Sequence, residues 1–514
     1  MYPSLLSCTS RFLLLFSPRI HSNILPSRYL ISKIGQPATG ITVVRGKMLS
    51  TGGNDEVNWG FTEFLAKSSE IAREGFTGTD IVHVVMGNEA CDADSICSAL
   101  ALAYMKSIAP STTLRPEDTR STIFVPVMPI PRKDLALRQE VLVLFNLCDV
   151  NPASVTFTDE VDLAALHAQD RLRLSLTDHN AISGGLTGIG DAVVEIVDHH
   201  LDTGKHLQVQ GESRDIAFNV GAEIGQGKAL VGSCCTMVAE RLLATVPDRV
   251  TPDLARLLLG VILIDTANLD PAIKRATQRD HAISQRLAQK SKGKENDAST
   301  TRQGEDRPEG SSDSLYSALR DAKFKPSFWI GLAHSDCLRY DYKQFPTGLT
   351  PERHKGGGGN PGGSSSFFGM SSILCRMGEF ARKPGVLEAM KAFTRAHGLD
   401  ALVVMSLVVD PGPQRELLVF SEDQRRLRGI VEFLEGPDGE ALGLEKGGLL
   451  PAEEGVAERG AEARKAGLGK GLQGGREAGH VVYWVQSNPS LSRKQVAPLM
   501  TEFYGSLNVG NRKP

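Results

Sequence analysis

The sequence predicts an α/β protein in which a doubly wound, mainly parallel sheet occupies the N-terminal part and a smaller α/β domain follows. Three observations lead there. Residues 81–104, IVHVVMGNEACDADSICSALALAY, pass from a largely β-branched run into a helical pattern with Ile96, Ala99, Leu100 and Ala103 on one face. Further strand-like runs at 121–128, 172–176 and 192–197 repeat the opening, and two of them end in clusters of Asp, His and Asn. A polar, aperiodic stretch at 288–314 then separates this region from a second alternation of strands and helices.

Composition bounds the rest. The 514 residues are 41% hydrophobic and 23% charged, which is ordinary for a soluble globular chain of two to four domains. The longest aliphatic-aromatic run near the start, Phe12–Phe16, is far below the roughly 20 residues needed to span a bilayer, so no membrane is expected. A formal charge of −3 gives no general attraction for nucleic acid, and none is expected as a partner. Eight cysteines without a CxxC pair suit reduced thiols inside a cell. Residues 1–54 hold six Lys or Arg and no acid, which fits a mitochondrial transit segment and equally a leader preceding a start at Met48. The expected location is therefore the cytoplasm or the mitochondrial matrix.

In chain order, an amphipathic helix is expected over 58–74, and the first strand over 81–86 leads into the turn carrying Asn88, Asp92 and Asp94. A DxD before a helix also reads as a solvated loop with Ser95 as its cap, so the other acidic turns matter. The strand at 121–128 precedes the basic Arg132, Lys133 and Arg138. The strand at 172–176 runs into Thr177-Asp178-His179-Asn180, and that at 192–197 into Asp198-His199-His200. Ser233 is placed to cap a helix over CCTMVAERLL, and Asp265 closes the apolar segment that begins at Pro252. The domains expected are 55–287 and 315–514, the second beginning with helical LYSALRDAKF, carrying a strand at 367–374, a helix at 378–397, strands at 402–409, 416–420 and 480–485, and flexible insertions at 354–366 and 435–479.

Carboxylates and imidazoles gathered from separate strand ends suit Mg²⁺ or Mn²⁺, whereas structural zinc would call for closely spaced cysteines. Such a number of ligands exceeds what one ion needs, and paired metals are the usual device for attack on phosphorus.

GNEACDADS, TDHN, VDHH and LIDTANLD, in that order, resemble the four motifs of the DHH phosphoesterase superfamily, in spellings close to its exopolyphosphatase and prune branch. The resemblance implies a second, DHH-associated domain with the active site in the cleft between the two. It further implies that Asp92 and Asp94 bind separate ions, that Asp178 bridges them, and that His199 and Asp265 complete the second site. His200 would face the phosphate and assist the departing chain, while Asp198 orients the histidines and Asn88 stands where related pyrophosphatases have a histidine, favouring Mg²⁺. From the second domain, LRYDYK and the terminal SRKQ would bring Arg493, Lys494, Arg339 and Lys343 onto phosphoryl oxygens, with Asn180 as a further substrate contact. Tyr340 stands where the branch commonly has lysine. Arg132, Lys133 and Arg138 would extend the anionic path, and the linker at 288–314 would act as the hinge.

The activity implied is hydrolysis of the terminal phosphoanhydride of inorganic polyphosphate, or of another small phosphoanhydride, with two divalent ions as cofactors. The rivals are a pyrophosphatase, a nucleotide phosphodiesterase, or an interaction protein on a retained fold. HKGGGGNPGG does not reproduce the glycine-histidine motif of the nuclease relatives.

Overall fold

A computed structural model describes residues 59–109, 120–182, 184–221, 227–292, 312–349, 366–446 and 480–510. The leader at 1–54 and nearly all of the insertion at 354–366 lie outside the described residues.

The first lobe is built on β1 (Ile81–Met86), β2 (Thr122–Met128), β3 (Thr156–Phe157), β4 (Leu172–Thr177), β5 (Val193–Asp198) and β6 (Arg214–Ile216). They lie in the order β3-β2-β1-β4-β5-β6, every pairing parallel. A short antiparallel ribbon, β7 (Phe218–Asn219) with β8 (Lys228–Ala229), follows. Helices α1 (Phe61–Glu74), α2 (Ala93–Ile108), α3 (Gln139–Leu147), α4 (Leu163–Ala168), α5 (Cys234–Thr245), α6 (Pro252–Asp265) and α7 (Gln278–Ser291) accompany the sheet. The strands and helices anticipated from sequence fall within a few residues of these bounds. The tiny β3 and β6 were not anticipated, being too short to carry a pattern.

Strand order reverses between β1 and β4, and that switch point opens a crevice at their C-terminal ends. Alongside it, α2 is buried from Ala93 to Lys106, as an apolar-all-round helix must be. Each large apolar side chain buried in this core contributes about 1.5–3 kcal/mol. A buried polar string crosses the same layer. His83 Nε2 lies 2.7 Å from Ser175 Oγ, which donates to Glu195 at 2.6 Å, and Lys106 and Arg241 close on Glu195 at 2.8 and 3.1 Å. It fixes β1, β4 and β5 against α2 and α5.

Helix α8 (Ser312–Lys323) was expected to open the second domain, yet its Leu315 and Leu319 pack into the first core. Likewise α7 continues to Ser291, inside the stretch expected to be linker, and 293–311 is outside the described residues. The second lobe holds α9 (Pro326–Gly331), α10 (His334–Tyr340), β9 (Asp341–Pro346), β10 (Phe367–Ile373), α11 (Met377–Arg382), α12 (Val386–Ala396), β11 (Leu399–Val408), β12 (Gln414–Phe420), α13 (Gln424–Leu434), β13 (Leu444–Lys446), β14 (Val481–Gln486) and α14 (Arg493–Gly510). Its sheet runs β13-β14-β12-β11-β10-β9, with β10 and β11 parallel and the other pairs antiparallel. Side chains alternate between two covered faces: Leu402, Val404 and Leu418 meet Met377, Phe380 and Met390, while Val403, Met405 and Leu417 meet Leu427, Ile430 and Val496.

Two expectations need correction. The helix expected over 378–397 is two, because Pro384 and the left-handed Gly385 (φ +82°) break it. The start of the insertion at 435–479 is folded: Trp484 Nε1 donates to Glu435 at 2.9 Å, Leu442 is buried, and β13 pairs with β14. Residues 447–479 lie outside the described residues. No described helix is long and apolar enough to cross a membrane.

The lobes are joined through Arg138, which is 1% exposed. Its guanidinium donates to the carbonyls of Cys91, Asp134, Ala90 and Tyr340 at 3.1, 2.8, 2.7 and 2.8 Å. Tyr340, in turn, donates to Glu140 at 3.1 Å and packs edge-on against Trp329. Replacing Arg138 with Met should cost about 3 kcal/mol or more, since several buried carbonyls lose their donor. Urea unfolding would measure it, and a loss below about 1 kcal/mol would contradict the joint assigned here.

Candidate metal centre

At the switch point the loop after β1 folds back over the start of α2. Gly87 permits this, because a Cβ there would stand 2.6 Å from Ser95 Cβ and its carbonyl oxygen. Asp92 caps α2 by accepting from Ser95 N at 3.0 Å, so the cap is Asp92 rather than Ser95. From α2, Asp94 reaches the start of α5, accepting from Ser233 Oγ, Cys234 N and Cys235 N at 2.8, 2.6 and 2.8 Å. Ser233 is the N-cap of α5, as expected, and also fixes Asp94. An acid at a helix N-terminus is held by both amides and dipole.

Asp178, directly after β4, adopts the left-handed conformation (φ +61°), which Asp tolerates better than most residues. Its amide donates to Val197 O at 3.0 Å, extending the link to β5. Its Oδ2 accepts from Asn88 Nδ2 and Ser95 Oγ, both at 2.7 Å, which leaves Oδ1 facing His199 Nε2 at 3.3 Å and His200 Nδ1 at 3.6 Å. Ligand atoms of Asp178, His199 and His200 all lie within 4.8 Å of one another. Asp94 Oδ2 is 3.9 Å from His199 Nε2.

The histidines are oriented from behind. His199 donates from Nδ1 to Val231 O at 3.0 Å, so its Nε2 is the nitrogen aimed at the acids. His200 donates from Nδ1 to Asp198 Oδ1 at 2.8 Å. Asn180 secures Asp198 Oδ2 at 2.6 Å and Leu201 O at 3.0 Å, while its Oδ1 accepts from Thr203 N and Oγ1. All four hydrogen-bonding positions of Asn180 are thus occupied within the protein, and the substrate contact expected of it is corrected.

Asp265 ends α6, and its Oδ2 is buried without a hydrogen-bond partner. The next turn holds it there through three successive left-handed residues, Ala267, Asn268 and Leu269. Burial raises the Asp265 pKa well above the usual carboxylate range, and repulsion from Asp94 and Asp92 adds to it. Asp94 is pushed up to about 7 by burial and by Asp178, and Asp92 is raised for the same two reasons. For Asp178 burial works the other way from the outcome: the His199 hydrogen bond and the His200 charge hold it low. Four acids that repel one another around an unsatisfied oxygen are a donor set suited to hard divalent cations.

The DHHA2 domain family matches residues 323–503. A Bos taurus protein named exopolyphosphatase PRUNE1 is 30% identical over 439 residues, covering 84% of this chain and 79% of that one. This chain belongs to the prune branch of the DHH phosphoesterase superfamily. The Homo sapiens relative of the same name is 29% identical over 442 residues, with the same shares. A Schizosaccharomyces pombe protein named putative exopolyphosphatase is 24% identical over 431 residues, 81% of this chain and 90% of that one.

In this prune-family chain the second lobe faces the acids with cations. Lys494, on the first turn of α14, is solvent-accessible but walled by protein; desolvation lowers its pKa, and Asp178, Asp265 and Asp198 pull it back up. Lys343, on β9, acts on both Asp178 and Lys494 and forms no ion pair among the described residues. Arg493 is tied to Asp341, with Nη1 on its carbonyl at 3.0 Å and Nη2 on its carboxylate at 2.7 Å.

Other basic residues lie elsewhere. Arg339 is held by Asp134 and Asp336 at 3.1 and 2.7 Å, Arg132 by Glu160 and Val155 O, and Arg138 by the carbonyls of the joint. Lys133 is exposed. The substrate contact expected of Arg339, and the anionic path expected through Arg132 and Arg138, are therefore corrected: their donors hold protein acceptors. Tyr340 is buried in the second core, which removes it from the cleft. Ser95 and Ser233 were expected only as helix caps, and nothing in the sequence shows that they hold Asp178 and Asp94; Lys323, a half-buried amine 3.6 Å from Glu140 whose charge reaches Asp265 and Asp92, was not singled out at all.

Proton competition follows from this geometry. Burial disfavours the charged form of His199, but its hydrogen bond to Asp178 prevails and raises the pKa to about 9, so Nε2 carries a proton at neutral pH. A metal must displace it. Mn²⁺ affinity should therefore rise with pH up to about 9, by roughly tenfold per unit, with proton release on binding. Calorimetry in buffers of different ionisation enthalpy measures both, and an affinity independent of pH would contradict the assignment.

Proposed function

We propose that this chain is an exopolyphosphatase, hydrolysing the terminal phosphoanhydride of inorganic polyphosphate to release orthophosphate and a chain one unit shorter. The observation that carries this reading is the convergence of Asp92, Asp94, Asp178, His199 and Asp265 on one crevice, with Asp265 Oδ2 unpartnered and lysines of the second lobe opposite. These five residues would hold two divalent ions, Mg²⁺ or Mn²⁺. When bound, the ions supply an activated water and neutralise phosphoryl charge.

The chain's own residues do the rest. Asn88 and Ser95 fix one oxygen of Asp178 so that the other stays in the crevice. His200 is neutral at pH 7, because burial lowers its pKa to about 4 against the pull of Asp198, with Lys494 and His199 adding to the fall. Its Nδ1 hydrogen already belongs to Asp198, so Nε2 offers a lone pair. That makes His200 an acceptor for the attacking water or a ligand. Lys494 and Lys343 meet the phosphoryl oxygens as charge builds, and Arg493 keeps N–H groups beyond the two that hold Asp341. The place of action proposed is the cytoplasm or the mitochondrial matrix, on the basic, acid-free character of residues 1–54.

Phosphate release from long polyphosphate, tripolyphosphate, pyrophosphate and cyclic nucleotides, each with Mg²⁺ and Mn²⁺, tests the reading. Long polyphosphate should be the preferred substrate, and preference for pyrophosphate or a cyclic nucleotide would replace it with a rival. In the same assay Asp178→Asn should abolish turnover with the fold intact, and Lys494→Gln should lower kcat on the order of a hundredfold. More than about a tenth of the wild-type rate in Asp178→Asn would contradict the bridging role.

A further inference from the structure

On the exopolyphosphatase reading above, we propose that Glu89 is a positioning residue: its hydrogen bond to the Gln344 amide clasps β9, the strand that carries Lys343 and ties Arg493, against the loop that carries the acids of the centre.

β9 is an edge of its sheet and pairs with β10 alone, so the amides on its outer side need acceptors from elsewhere. Gln344 N finds one in the first lobe, donating to Glu89 Oε1 at 3.1 Å. An ionised acceptor makes this the stronger kind of hydrogen bond. Gln344 is held from its own lobe as well: its side chain accepts from the Tyr342 hydroxyl at 3.3 Å and donates to His397 O at 3.4 Å. Opposite Gln344 on β10, Gly369 leaves the room that Tyr342 fills, since a Cβ there would stand 2.8 Å from the ring.

Glu89 is half-buried and lies between two residues already tied to the site. Asn88 holds Asp178 Oδ2 at 2.7 Å, and the Ala90 carbonyl receives Arg138 at 2.7 Å. Three consecutive residues of the loop after β1 therefore reach the centre, the edge of β9 and the joint between the lobes. Arg138 and Asp134 of the first lobe grip the second where the chain enters β9, on Tyr340 O at 2.8 Å and on the Arg339 guanidinium at 3.1 Å. Glu89 adds a hold at the residue after Lys343, so first-lobe contacts bracket both that lysine and Asp341, to which Arg493 is paired at 2.7 Å. Loss of this hold would leave the strand fixed at its start alone, with Lys343 beyond the last grip.

Charge gives the clasp a distinctive sign. A carboxylate beside a cleft that takes a polyanion opposes binding, so on Coulomb grounds alone removing Glu89 should favour the substrate. Loss of the clasp should instead slow turnover.

Steady-state hydrolysis of long polyphosphate by the full-length chain, together with hydrogen exchange of the β9 amides, tests this. Glu89→Ala should lower kcat about tenfold, as expected for losing a hydrogen bond to a charged group that acts on the transition state. Glu89→Asp keeps the charge but falls one methylene short of the amide, and should lose kcat in the same direction; it also keeps the test valid if Glu89→Ala fails to fold. Glu89→Gln retains an oxygen acceptor without the charge and should stay within about threefold of wild type. In a Lys343→Gln background, Glu89→Ala should cost less than about twofold more, because the group it places is gone. The Gln344 amide should exchange about tenfold faster or more in Glu89→Ala, and at the wild-type rate in Glu89→Gln. Unchanged exchange in Glu89→Ala and Glu89→Asp, or kcat at or above the wild-type value in both, would overturn the clasp. Equal losses with and without Lys343 would overturn its action through that lysine. A chain that hydrolyses no phosphoanhydride yet shows the exchange difference would sink the proposed activity and leave the clasp standing.

Discussion

The constraint on which the rest depends is the repulsion among Asp92, Asp94, Asp178 and Asp265, gathered where β1 and β4 part. Nothing in hydrophobic packing favours such a gathering, and burial raises the cost of every ionised acid there. The fold holds them one at a time by different means. Asp94 rests on the amides that start α5, Asp178 on Asn88 and Ser95, and Asp92 on the first turn of α2. Asp265 has no such partner for Oδ2 and is the point at which a cation is most needed.

The second lobe completes the balance of charge. Its cations come from the edge strand β9 and the first turn of α14, whereas the joint that sets their position is made by Arg138 and Tyr340. Arg138 donates to carbonyls of the loop after β1 as well as to Tyr340, so the loop carrying Asp92 and the chain entering β9 share one anchor. A displacement of one lobe is thereby felt at the other through a buried group that makes four hydrogen bonds.

Most acids and both histidines of the centre were legible in the sequence because they follow strand-like runs at three strand ends, and Asp265 because it closes an apolar helical segment, patterns that need no knowledge of contacts. The same holds for most strands of both sheets. The basic residues were not separable in this way. Arg132, Arg138, Arg339 and Arg493 look alike in sequence, yet two are tied to acids at the lobe surface or joint, one is enclosed by carbonyls, and one stands beside the cleft. Carbonyl partners leave no trace in a charge pattern. Asn180 was misread for a similar reason, since its neighbours Asp198 and Thr203 come together only once the loop after β5 folds. His83 escaped notice because a lone histidine inside an apolar strand gives no sign of the Ser175 and Glu195 beside it.

On the reading proposed above, these acids hold a pair of cations bridged by Asp178. Anomalous scattering at the manganese edge, from crystals grown with Mn²⁺, tests it most directly. Two peaks ~3.5–4 Å apart are expected, both within ligand distance of Asp178 and one of them also within reach of His199 and Asp265. A single peak, or peaks that do not share Asp178, would contradict it.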